Sequence, residues 1–222
     1  MTSTDKDRIV KACREIYAET SVFYAKMESL LRNPLGYKIL YGPPLLRAPA
    51  MFIAYQPGGS KDEMHLGERE QWPEVCEYAT APWHLAARVR GLFAGELGQK
   101  FSAEFLKSCV AANAIFFRAP NQDTFATMGD PRTLSTIAQF CRDRVERLIN
   151  LLEPKSIVYI GFNAAGGKSQ SDLVSPKGRV LAKTCEVAGR SATQILHLSG
   201  ARISNEDRAL IREYLLKRIR RQ

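Results

Sequence analysis

No apolar run in this 222-residue chain approaches the roughly 20 residues that a membrane-crossing helix needs. The opening residues, 1–8, are polar and charged, so neither a bilayer span nor a cleaved signal peptide is expected. Cysteine is scarce and unpatterned: Cys13, Cys76, Cys109, Cys141 and Cys185 are odd in number, widely spaced and contain no C-x-x-C pair. That spacing argues against a disulfide framework and gives no support to a zinc or iron–sulfur site. The expectation is reduced thiols, several of them core residues, in a cytoplasmic (or nucleoid-associated) protein with no metal and no cofactor. A Walker loop is missing too. Gly166-Gly167-Lys168-Ser169 ends in the right residues, but the motif's opening glycine does not stand at the required spacing.

What the chain does have is positive charge. Lys and Arg number 32 against 23 Asp and Glu, a formal net charge of +9. Such a field favours polyanions such as nucleic acid through counterion release, although a generally basic surface with no specific partner explains it as well. Hydrophobic residues make up 45% and charged residues 25%, ordinary for one globular domain with a sizeable core.

Helical apolar spacing runs over residues 4–32 (Ile9, Cys13, Ile16, Tyr17, then Phe23, Met27, Leu30, Leu31) and stops at Asn33-Pro34-Leu35-Gly36. Residues 50–55 read as a buried strand entering Gln56-Pro57-Gly58-Gly59. Residues 60–82 read as a long polar loop, followed by a helix from about Pro82 to Leu92. A second buried strand covers residues 109–117 with Asn113 as its strongly polar member, and a one-faced helix covers 131–152. Residues 156–161 form a third strand, 178–187 a hairpin, and 193–197 a fourth core strand ending at His197. The last helix, 205–221, has Ser204 as its cap and ends in Lys217, Arg218, Arg220 and Arg221.

Strands alternating with helices predict an α/β fold: an open, mainly parallel sheet of about four strands with helices on both faces. The chain reads as one domain over 1–222, with an N-terminal helical extension (about 1–35) and a basic C-terminal helix (about 205–221). If the strands are parallel, Gln56, Asn113 and His197 share the carboxyl edge, where open α/β sheets place ligands. Two amides and an imidazole suit the edge of a nucleobase. Singly, each has a plainer role: a loop cap for Gln56, a satisfied buried turn for Asn113, a hydrogen-bonded core histidine for His197.

The order of four segments adds to this. Phe52-Ile53-Ala54-Tyr55-Gln56-Pro57-Gly58 resembles the strand and "G-x-N-P-G" motif of the uracil-DNA glycosylase superfamily. Val110-Ala111-Ala112-Asn113-Ala114 resembles the strand that supplies its uracil-reading asparagine. Pro154-Lys155-Ser156-Ile157-Val158-Tyr159-Ile160-Gly161, followed by Ala164, is similar to its "P-K-hydrophobic-G-x-x-A" strand, and His197-Leu198-Ser199-Gly200-Ala201 to its closing "H-P-S-G" motif. Together they cover residues 50–202.

The resemblance implies a DNA glycosylase acting on uracil or a related deaminated base flipped out of DNA. Asn113 would read the base edge. His197 would donate toward the base oxygen that gains charge as the glycosidic bond breaks, and Gln56 would position water. Tyr55 and Gly58 would line the base pocket, Trp83 or Tyr78 would stack on the base (Trp72 competes for that role), and Ser199, Gly200, Ala201 and Arg202 would contact DNA. The chain would act as a monomer, away from membranes.

Two departures qualify the activity. Gln56 stands where several branches carry Asp or Asn, Tyr55 occupies the alternative carboxylate position, and a glutamine amide cannot accept a proton as a base. Asp62 and Glu63 follow closely but also suit a solvated loop face. Leu198 replaces the usual proline. A non-catalytic nucleic-acid or nucleotide-binding module with the same fold is therefore the alternative, and a basic protein with a protein partner is the third reading.

Overall fold

The computed structural model describes residues 3–59, 72–95, 98–199 and 202–220. In chain order these form α1 (Ser3–Met27) and a 3-10 turn (Glu28–Leu30), β1 (Ala50–Ala54), α2 (Glu77–Thr80), α3 (His84–Ala94) and α4 (Gly98–Lys107). There follow β2 (Val110–Asn113), α5 (Gln122–Ala126), α6 (Pro131–Leu152), β3 (Ser156–Ile160), β4 (Ser169–Val174), β5 (Val180–Val187), β6 (Arg190–Ile195) and α7 (Asn205–Arg220).

β1 and β3 are buried at every position, which is why both read as continuous apolar runs. One sheet joins the strands in the order β2-β1-β3-β6-β5-β4. β2, β1, β3 and β6 are mutually parallel, while β5 and β4 extend the sheet antiparallel. The expected count of about four strands is corrected to six. The four parallel strands are those the apolar runs foretold; β4 escaped for a physical reason. β4 is a polar, solvent-facing edge strand whose residues carry no core pattern.

The hairpin expected over 178–187 is also corrected. Residues 180–187 are one strand, β5, which turns back from β4 through Ser175–Arg179 and into β6 through Ala188 and Gly189. The second strand is shorter than expected, because pairing to β1 ends at Asn113. Beyond it the backbone turns to other partners: Lys38 N–H donates to Phe116 O at 2.8 Å, and Tyr37 bridges Phe117.

Helices cover both faces. α6 starts where Asp130 accepts from the N–H groups of Arg132 (2.8 Å) and Thr133 (3.1 Å), with Pro131 at its first turn. Its buried residues Ile137, Cys141, Val145, Leu148 and Leu152 recur at helical spacing and meet Met51, Ile53, Ile157 and Tyr159 of the sheet. α1 joins the same core through Ile9, Cys13, Ile16 and Tyr17. It is tied to α6 by Arg144 and Arg147 on Glu19 (3.0 and 2.6 Å), and Arg147 reaches Glu15. The predicted N-terminal extension is thus part of the main core. On the other face, α3 and α7 bury Val89, Leu92, Phe93, Ile211 and Leu215 against Phe52, Val158, Ile160 and Ile195. Ser204 caps α7 as expected, accepting from Asp207 N–H at 3.0 Å.

α2 stands inside the stretch expected as a loop, a correction to that expectation, and no expectation covered α4 or α5. α5 is one turn capped by Asn121, too short for a periodic signal, and α4 follows directly on the two residues 96–97, which lie outside the description. All five cysteines are buried free thiols. Burial raises Cys13 and Cys141 to about 12 and Cys76 to about 11, so these are packed and unreactive at neutral pH. No described helix is long and apolar enough to cross a membrane.

Candidate base-recognition site

Strand register sets the geometry of the edge. Asn113 lies opposite Ala54, Ala54 opposite Ile160, and Ile160 opposite Ile195, so the last paired residues of four parallel strands form one row. Gln56 and His197 each follow two residues beyond that row. All three polar residues therefore stand at the carboxyl edge, as the strand pattern implied.

Asn113 faces the α3 side, with Ala111 on its own strand and Phe52 next door. It is 2% exposed, and its Nδ2 has no hydrogen-bond partner among the described residues. A buried amide left open this way costs free energy that water or a ligand would recover.

Gln56 is held differently. Its Nε2 donates to Ala119 O at 3.3 Å, and its Oε1 is buried without a described partner. The following turn is braced by Arg118, which sequence reasoning overlooked. Arg118 is 5% exposed, and its Nε donates to Gly58 O at 3.2 Å. A Cβ on Gly59 would sit 2.9 Å from that same Nε, so the glycine is what lets the guanidinium lie under the loop.

His197 is half-buried. Its Nδ1 is 3.2 Å from Ser199 Oγ, and its ring packs on Gly161, where an added Cβ would stand 3.3 Å from Cδ2. Gly161 has φ +103°, a conformation suited to glycine. Burial, and secondarily the charge of His84, hold the imidazole below its usual pKa. His84, at the start of α3, accepts from Arg88 Nε at 3.2 Å and is a second overlooked residue. Its signal was available: it is the residue next to Trp83.

The aromatic candidates separate. Tyr78 is 1% exposed, enclosed by Tyr41, Phe52 and Trp83, and so offers no open ring face. Trp83 is half-buried, edge-on to Tyr78 at 5.3 Å, and is the ring nearer the surface. Trp72 packs on Tyr17 in the α1–α6 core, on the opposite face. Tyr55 also turns to that face and meets Phe125. It lines a cavity of ≈ 370 Å³ beside α6 that takes in none of Gln56, Asn113 or His197. Gly58 is exposed, as is Arg202, whose carbonyl accepts from Arg179. Gly200 and Ala201, like Asp62 and Glu63, lie outside the described residues.

Among the described residues, no group of three or more His, Cys, Asp or Glu is arranged to hold a metal ion. Neither the protein-family models nor the curated protein sequences contain a match to this chain.

Proposed function

We propose that this protein recognises a nucleobase at the carboxyl edge of its sheet and hydrolyses its N-glycosidic bond, as a divergent member of the uracil-DNA glycosylase superfamily acting on uracil or a related deaminated base in DNA. The observation that carries the reading is Asn113: a 2%-exposed amide with an open Nδ2, in the same row as the strand ends that lead to Gln56 and His197. An amide with a free donor offers what a base carbonyl accepts.

In the reaction, the glycosidic electron pair leaves with the base while water adds to the sugar carbon, and the proton that water releases passes to the departing base anion or to solvent. His197, kept neutral by burial, donates from Nε2 to the base oxygen when Ser199 donates to Nδ1. Gln56 Oε1 accepts from the attacking water, and Trp83 offers a face to the base. The excess of nine positive charges favours the DNA backbone.

A second reading rests on Gln56. It has no carboxylate, and its Nε2 is already committed to Ala119 O, which suits a module that binds a base without cleaving it. Single-turnover assays on oligonucleotides containing uracil, hypoxanthine or xanthine separate the two. Cleavage is expected, with His197→Ala slowing it roughly a hundredfold to a thousandfold and Gln56→Ala slowing it less. Protein that binds these oligonucleotides but releases no base would establish the binding module instead.

A further inference from the structure

The ≈ 370 Å³ cavity beside α6 belongs to neither the base site nor its face of the sheet. It is large enough for a small organic ligand. One wall is α6, with Arg142 and Glu146; another is the glycine-rich loop after β3, with Asn163, Gly166 and Gly167; Tyr159 and Tyr55 supply phenol rings. This loop contains the Gly-Gly-Lys-Ser segment that is not a Walker motif. It leads into strand β4 rather than a helix, so no helix terminus is available to hold phosphate.

Among the described residues its charged side chains are unpaired, and they are divided between two ends. The side chains of Arg142, Glu146 and Glu186 form no ion pair or hydrogen bond with any described residue. Arg142 lies over the loop, with Nη2 3.3 Å from where a Gly166 Cβ would stand. The N–H groups of Gly166 and Gly167 donate to no described backbone acceptor. That end, beside the carboxyl ends of the strands, is an anion cradle of one guanidinium and open amides. Glu146 follows one helical turn along α6, about 6 Å away. Glu186 pairs with Ser191 near the start of β6, toward the amino ends of the parallel strands. The far end therefore accepts hydrogen bonds from N–H groups.

We propose that this cavity binds a nucleoside monophosphate, its phosphate on Arg142 and the Gly166–Gly167 amides and its base on Glu146 and Glu186. A carboxylate pairs best with a base that presents two adjacent N–H donors, which selects guanine: uracil has one ring N–H, and adenine has an amino group without an adjacent ring N–H. The proposal stands independently of the glycosylase reading, because no residue of that site lines the cavity except Tyr55.

Titration calorimetry with guanosine 5′-monophosphate, uridine 5′-monophosphate, guanosine and inorganic phosphate tests it on the full chain. The guanine nucleotide should bind saturably, with each of the other three at least roughly tenfold weaker, a difference of about 1.4 kcal/mol. Arg142→Gln should weaken the nucleotide about tenfold and leave guanosine unchanged, whereas Glu146→Gln should weaken both. Arg142 is exposed and Glu146 half-buried, so both variants should keep the parent's thermal transition. Absence of saturation at roughly 1 mM nucleotide, equal binding of the uridine nucleotide, or unchanged affinity in both variants would each overturn the assignment.

Discussion

Asn113→Ala removes an amide whose Nδ2 is buried without a described partner, in a residue only 2% exposed. Two effects oppose each other. An unpaired buried donor carries a desolvation cost of about 1–3 kcal/mol in the folded state, which the substitution relieves. The lost side-chain packing costs about 1 kcal/mol. The net change in unfolding free energy should therefore lie between about zero and 2 kcal/mol of stabilisation, moving Tm up by no more than roughly 8 °C for a chain of this size. Leu148→Ala, at a fully buried core position on α6, should by contrast cost about 2–5 kcal/mol. Urea unfolding of the three proteins, with m held constant, measures both. Base recognition in the same Asn113→Ala protein should fail. If Asn113→Ala instead destabilises by about 3 kcal/mol or more, Asn113 is a structural strut whose amide is satisfied in solution, and the case for an open ligand donor collapses.

Gly161→Ala should place a Cβ 3.3 Å from His197 at a backbone with φ +103°, costing about 1–3 kcal/mol and displacing the imidazole; a variant with unchanged Tm and activity would refute the packing argument. His197 is held below its ordinary value of 6.5, so the unfolded chain takes up its proton first as pH falls. This contribution to stability is complete above about 6.5 and is lost as pH drops toward the lowered folded value, so His197→Gln should flatten the stability curve there; an unaltered slope would show that His197 is not the titrating group. DNA affinity should fall steeply as salt rises, with little sequence preference, and salt-independent binding measured by fluorescence anisotropy would show that phosphate contacts do not drive it.

Much of the architecture was legible from local pattern alone. The apolar runs of β1 and β3, the one-sided stripe of α6 and the polar residue at or beyond the ends of β1, β2 and β6 are carried by contiguous residues, so composition and period reveal them. The same pattern put Gln56, Asn113 and His197 on one edge, because parallel strands share a direction. The sequence could not tell which side of the sheet an aromatic beyond a strand would take. Only packing placed Trp83 near Asn113's face, sent Trp72 and Tyr55 to the α6 side, and sealed Tyr78. Nor could it reveal Arg118 beneath the Pro57-Gly58-Gly59 turn, some 60 residues away in the chain, or His84 acting on His197. Such contacts depend on which loops the crossovers bring together, and no local period encodes them. The strand edge was thus written in the sequence, while the choice of side chains that surround it was made by tertiary packing.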